Sequence, residues 1–195
     1  HAQGYTAGLF HLMNHAFFKA LLFLGSGAVI HAVHTQDMRE MGGLRKAMPV
    51  TSTAMGLGVL SIAGVPFFSG FWSKDEILES VHHNWGAEGI FGALWWLGLL
   101  TAAMTAFYMT RLWMMTFSGP ASHEIEEIIP SDDHSDSGNW EVLKKEVKIQ
   151  AHEAPRVMTI PLMILAFLAV FSGFVVFLGE GFGSVVFYGA HHSSE

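Results

Sequence analysis

The chain has 195 residues and no cysteine; 51% of its residues are hydrophobic and 14% are charged, and its formal net charge is -7. An ordinary soluble domain carries about 25% charged residues, so this composition, with a mean hydropathy of +0.37, predicts an integral membrane protein that has the lipid bilayer as a partner. The absence of cysteine excludes disulfides, thiolate metal sites and thiol catalysis, and nothing in the charge pattern indicates a nucleic-acid partner.

The first segment long enough to cross a bilayer, which takes about 20 apolar residues, runs from Gly4 to Val33. Inside it, His11, His15 and Lys19 occupy successive fourth positions. An α-helix turns about 100° per residue, so a step of four returns a side chain to within roughly 40° of its start, and the three groups share one face. Ionisable groups that face lipid are costly. We therefore predict that this face lines a protein interior or a wet cavity, where such groups handle ions or protons.

The second predicted segment, residues 49–83, contains Gly64, Pro66 and Gly70 near its middle. A proline removes one backbone hydrogen bond, and its ring clashes with the preceding turn of a helix. We therefore predict a discontinuous helix that is interrupted between residues 61 and 71. The carbonyl groups freed there need water or side-chain partners.

Lys74 follows this interruption in the run GVPFFSGFWSKDEIL. Broken helices of transporters place ions near such interruptions, and a buried lysine is suited to carrying a proton. We predict that the ionisable face of the first segment points toward Lys74, with water between its members, which are about 6 Å apart along the axis. The alternative is a lysine that extends to the membrane surface and pairs there with Asp75 or Glu76.

The third predicted segment is Gly89–Phe117, and the fourth is residues 157–178. The expected fold is all-α, with polytopic transmembrane helices of which one is discontinuous. Three regions follow: 1–117 with three transmembrane helices, 118–156 as a hydrophilic loop, and 157–195 as a further transmembrane helix and an interfacial tail. The loops after the first and third segments hold nearly all the loop lysines and arginines, which predicts that they face the cytoplasm, or the matrix of a mitochondrion.

Two other interpretations of the ionisable face are available. His11 and His15 are spaced to bind a metal or haem, but the sequence has no HExxH motif and no nearby carboxylate or thiolate to complete a site, so we expect no metal and no cofactor in this chain. The polar side chains could instead only pack, through interhelical hydrogen bonds worth about 0.6 kcal/mol each. Packing explains a single histidine better than a ladder of two histidines and a lysine.

Three runs of the sequence resemble one known family: FHLMNHAFFKALLFLGSGAVIHA, MGGLRKAMPVT and GVPFFSGFWSKDEIL. They are similar to the antiporter-like subunit of proton-pumping NADH-quinone oxidoreductase, respiratory complex I, of the type called L in bacteria and 5 in mitochondria. The resemblance covers about the first 120 residues, and the loop and last helix are similar only in layout. It implies that residues 1–117 close the second of two inverted repeats. Because the first residue is His1 and no first repeat is present, we expect an internal fragment that could not pump by itself.

The resemblance also implies site residues. Lys74 would exchange protons with the outer face. Independently of the resemblance, Asp75 is a candidate partner of Lys74. His11, His15 and Lys19 would belong to the central hydrophilic axis, in which the latter two link the inner half-channel to Lys74.

The implied activity is proton translocation driven by NADH oxidation and quinone reduction in other subunits. On this basis the chain belongs to a translocase, has no redox site of its own, and leaves flavin and iron-sulfur clusters to partner subunits. Its partners would be the other membrane-arm subunits of complex I. The expected location is the bacterial cytoplasmic membrane, with the mitochondrial inner membrane as the alternative.

Two other functions stay open on the sequence. One is the large subunit of a multisubunit sodium/proton antiporter, which shares the lysine after the broken helix, although SKDEIL and MGGLRKAMP are more similar to the complex I version. The other is a non-conducting helical assembly subunit. Sodium dependence separates the first from complex I, and titration of Lys19 or Lys74 separates transport from assembly.

Overall fold

The computed structural model describes residues 2–85, 89–119, 126–127, 145–146 and 152–177. Its helices are α1 (Ala2–Val33), α2 (Pro49–Ala63), α3 (Ser69–Trp85), α4 (Gly89–Phe117) and α5 (Arg156–Phe171), followed by a 3-10 helix (Ser172–Phe177). Among the described residues, three stretches are long and apolar enough to cross a membrane: Gly4–Val33, Gly92–Phe117 and Arg156–Phe174. The predicted all-α class is confirmed.

The hydrophilic connection between α4 and α5 contains the only strands in the described ranges. These are Glu126–Glu127 and Lys145–Glu146, which pair in antiparallel register. Most of the remaining connection lies outside the described residues, as do the predicted end of the fourth segment at residue 178 and the tail that follows it.

The second segment is two helices, as the sequence predicts. α2 ends at Ala63, and Gly64 follows in the left-handed conformation with φ of 78°, which glycine adopts without strain. The N–H of Val65 donates back to the carbonyl of Leu60 at 3.1 Å, a pattern that closes a helix end. α2 alone spans roughly 23 Å, so α2 and α3 together, rather than α2 alone, match a hydrocarbon core of about 30 Å.

Small residues let the chain return closely upon itself at the interruption. A Cβ atom on Gly70 would collide with the carbonyl oxygen of Ser61, so α3 restarts directly against the end of α2. A Cβ atom on Gly173 would lie 2.6 Å from the Cα of Ser69, so the 3-10 helix approaches the same point. Close backbone contact of this kind is typical of helix packing in membranes.

Buried polar side chains tie the helices together at this point. The hydroxyls of Ser61 and Ser69 both donate to the carbonyl of Ala169 on α5, at 2.9 and 2.6 Å. The hydroxyl of Ser172 donates to the side-chain oxygen of the buried Asn14 on α1, at 2.5 Å. These bonds join α5 to both halves of the broken segment and the 3-10 helix to α1.

The opposite end of α2 is capped from a distant part of the chain. Glu153, just before α5, accepts from the backbone N–H of Val50 at 2.7 Å and from the hydroxyl of Thr51 at 2.5 Å. A carboxylate at a helix N-terminus satisfies open N–H groups and is favoured by the helix dipole. The start of α5 is therefore fixed to the start of α2.

Candidate functional site

A cavity of about 510 Å³ lies beside the interruption, between α1, α3 and α4. His11, His15, Lys19 and Lys74 all line it. The structure therefore brings together the four ionisable side chains that the sequence predicts to be neighbours. Most of the other lining side chains are apolar, so a polar group that enters the cavity finds few hydrogen-bonding partners besides these four side chains.

The ammonium group of Lys74 donates a hydrogen bond to the carbonyl oxygen of Ile62, at the end of α2. In an uninterrupted helix this carbonyl would accept from the N–H of residue 66, four positions later. Residue 66 is a proline and has no N–H to give. Pro66 thus leaves the carbonyl of Ile62 without its helical donor, and the ammonium group of Lys74 donates to that carbonyl instead.

The side chain of Lys74 packs against Gly64. A Cβ atom on Gly64 would lie 3.4 Å from Cδ of Lys74 and 3.8 Å from its Nζ, which are ordinary contact distances. It is the positive φ of Gly64 that disfavours any side chain there.

The first helix contributes its ionisable groups one turn apart. The imidazoles of His11 and His15 have centroids 6.0 Å apart, too far for a direct hydrogen bond, so a proton moving between them needs water. Nδ1 of His11 lies 3.0 Å from the hydroxyl of Ser73, which is on α3 next to Lys74. Lys19 lies at the exposed rim of the cavity in this chain.

Asp75, the candidate partner of Lys74, is exposed and is not among the residues that line the cavity. Consecutive residues on a helix point about 100° apart, so Asp75 does not share the helix face from which Lys74 reaches the interruption. In the described part of the chain, Lys74 hydrogen-bonds to the Ile62 carbonyl and forms no ion pair with Asp75.

α4 contributes hydroxyl groups to the cavity that were not predicted from the sequence. Thr101, Thr105 and Tyr108 line it opposite the first helix. The two threonine hydroxyls donate to carbonyls four residues earlier, at 2.7 and 2.8 Å, so their lone pairs remain to accept from water. Their spacing of four and three along an otherwise apolar helix is a signal that the sequence carries.

The cavity gives a metal ion two neighbouring imidazoles, those of His11 and His15. Within the described ranges, no group of three or more histidine, aspartate or glutamate side chains is arranged to hold a metal ion. Nδ1 of His11 lies against the hydroxyl of Ser73.

Comparison with known proteins places these residues in a wider group. The family described as NADH:quinone oxidoreductase/Mrp antiporter, TM, matches residues 1–105. The chain is 45% identical to NAD(P)H-quinone oxidoreductase chain 5 of Picosynechococcus sp., over 94% of this chain and 28% of that protein. It is 47% identical to NADH-quinone oxidoreductase subunit L of Mycobacterium tuberculosis, over 90% of this chain and 24% of that protein.

The likeness therefore extends beyond the first 120 residues, into the loop and the last helix, while the chain spans about a quarter of the length of these relatives. Among solved structures, the Mrp complex from Dietzia sp. has a chain with a similar fold. It matches with a TM-score of 0.72 and 21% identity, over 97% of this chain and 39% of that chain.

Proposed function

We propose a proton-translocating role for this chain, which belongs to the NADH:quinone oxidoreductase/Mrp antiporter transmembrane family. The observation that carries the proposal is the cavity beside the helix interruption. It places Lys74 on a carbonyl that Pro66 leaves open, within a space that His11 and His15 share. Ion paths in membrane proteins commonly contain ionisable groups beside an interrupted helix.

In the proposed path, protons enter from the cytoplasmic or matrix side and reach Lys74 through Lys19 and His15, with water between the side chains. A protonated lysine donates a charge-assisted hydrogen bond to the Ile62 carbonyl, and loss of the proton removes the stronger part of that bond. The neutral side chain is then less tightly held. Lys74 can therefore load a proton on one side of the interruption and release it toward the outer face.

We assign the chain to a membrane-arm subunit of an NADH-quinone oxidoreductase, a translocase in which flavin and iron-sulfur clusters belong to partner subunits. The names of the relatives from Picosynechococcus and Mycobacterium tuberculosis support this assignment. Residues 1–117 would form the second-repeat part of the module, 118–156 its hydrophilic loop, and 157–195 a further helix with an interfacial tail. We place the complex in the bacterial cytoplasmic membrane, with the mitochondrial inner membrane as the alternative.

Sodium/proton exchange is the second candidate, because the Mrp complex from Dietzia sp. shares the fold. The test uses the complete complex that contains this chain, reconstituted in vesicles and given NADH and a quinone. We expect internal acidification, followed with a pH-sensitive dye, at the same rate in sodium-free and sodium-containing media. Acidification that requires a sodium gradient would favour the antiporter. A complex that oxidises NADH without any acidification would favour the assembly role.

A further inference from the structure

Ser73 is a fully buried serine on α3, next in sequence to Lys74. Its hydroxyl lies 3.0 Å from Nδ1 of His11, and it donates to the carbonyl of Gly70 at 3.5 Å. A serine hydroxyl has one proton to give and two lone pairs that accept. When His11 carries its proton on Nδ1, the ring donates to the hydroxyl of Ser73, and the serine proton is then directed to the carbonyl of Gly70.

The other buried serines at the interruption are used differently. The hydroxyl oxygens of Ser61 and Ser69 lie 2.9 Å apart, and both hydroxyls donate to the carbonyl of Ala169, so their contacts hold helices together. Ser73 is directed instead at a titratable ring that lines the cavity. Its contact joins α1 to α3 at the residue before the proposed proton carrier.

A neutral histidine carries one ring N–H, so the partner of one nitrogen decides which nitrogen exchanges a proton. With Nδ1 of His11 held by a buried hydroxyl, Nε2 is the nitrogen left to the cavity. The same contact suits the charged ring, because Nδ1–H donates to the hydroxyl in both states. The ring thus gains a proton at Nε2 from water, keeps the one at Nδ1, and returns to its starting state when Nε2 passes the proton on.

We propose that Ser73 is a positioning residue that fixes the ring of His11, so that Nε2 takes up and releases protons on the cavity side. The inference rests on the proposed function, because it assigns an atom and its support within that proton path. Charged and titratable groups near His11 are His15 on the same helix and Lys74 on α3, and Lys19 and Tyr108 line the same cavity.

The test is the pH profile of proton pumping by the complete complex in vesicles, with Ser73→Ala and Ser73→Cys. Alanine removes the hydroxyl, and cysteine keeps the buried volume but gives only a weak donor and acceptor. We expect each variant to lower pumping about fivefold, the typical weight of one hydrogen bond, and to shift the pH profile. Ser73→Thr, which restores a hydroxyl, should move both values back toward wild type.

Ser52→Ala is the matched control. Ser52 is also buried, and its hydroxyl also contacts the carbonyl three residues earlier, at 3.2 Å from Pro49, but it does not line the cavity. We expect its pumping rate and pH profile to equal those of wild type. If the Ser73→Ala complex assembles poorly, the pumping rate and pH profile of Ser73→Cys alone test the inference.

A double substitution separates positioning from packing. If Ser73 acts through His11, Ser73→Ala should cause no further loss in a His11→Gln background. A further, additive loss overturns the inference, as do wild-type rates and profiles in both Ser73 variants. Lys74→Met in the same preparation tests the proposed function separately. Normal pumping by Lys74→Met refutes the proposed function. If Lys74→Met does not pump but both Ser73 variants pump normally, only the role of Ser73 is refuted.

Discussion

Lys74→Met should lower NADH-driven proton pumping by at least roughly a hundredfold, the lower end of what a positioned proton-transfer group contributes. Methionine keeps the length and apolar stem of lysine but has no proton to carry. It also leaves the carbonyl of Ile62 without the ammonium group that now bonds to it. Electron transfer by the detergent-solubilised complex, where no proton gradient acts, should fall much less. The two rates, measured on one preparation, check the prediction.

Two further variants give this result its meaning. Lys74→Arg keeps the positive charge but does not give up its proton in proteins, so we expect it to block pumping as well. Lys46→Met removes an exposed lysine from the loop before α2 and should pump at the wild-type rate. Normal pumping by Lys74→Met, with assembly verified on a native gel, would reduce Lys74 to a structural lysine.

Pro66→Ala should lower pumping about tenfold or more while leaving the complex as stable as wild type or more so. Alanine at this position supplies an N–H four residues after Ile62, which competes with Lys74 for the open carbonyl. Proline is about 3 kcal/mol less favourable than alanine within a helix, so the substitution favours continuation of α2. Loss of the charge-assisted bond to Lys74, worth about 1.5–3 kcal/mol, sets the expected effect on pumping.

Pro161→Ala provides the matched control, because it also removes a proline from a transmembrane helix, α5, but one that does not line the cavity. We expect its stability to rise and its pumping to stay unchanged. Both complexes are compared by thermal unfolding and by dye-monitored acidification. A Pro66→Ala complex that pumps normally would show that the open carbonyl of Ile62 has no part in proton transfer.

The parts of the site that follow from local sequence are predictable. The helix break depends on Gly64 and Pro66, whose backbone restrictions act within a few residues. The shared face of His11, His15 and Lys19 depends only on the period of a helix. Neither feature requires knowledge of which helices pack together.

The remaining features depend on contacts between distant residues. His11 and Ser73 are 62 positions apart, and Glu153 bonds to Thr51 of α2 across 102 positions. No local sequence pattern predicts either contact. The spacing of Thr101, Thr105 and Tyr108 is visible in the sequence of α4, but the cavity that these residues line depends on how α4 packs against α1 and α3. The pairing of Lys74 with Asp75 also depends on such contacts and stays a prediction.

If this cavity carries protons through water, its walls are accessible to water-soluble reagents, and a cysteine placed there is distinctive because the chain has none. Thr105 lines the cavity, and its hydroxyl donates to the carbonyl four residues earlier. Thr53 makes the same bond on α2 but lines a largely apolar groove against α5. The single variants Thr105→Cys and Thr53→Cys therefore place a thiol on two different surfaces, the first in the cavity and the second in the apolar groove.

The decisive measurement is proton pumping by the assembled complex before and after treatment with a small, positively charged, water-soluble thiosulfonate, which reacts with the hydrated thiolate. We expect Thr105→Cys to be labelled and to lose about tenfold or more of its pumping, because the attached cation repels protons from the path. Thr53→Cys should keep its rate. A Thr105→Cys complex that stays unlabelled, or that is fully labelled and pumps as before, would contradict a water-filled proton path at this cavity.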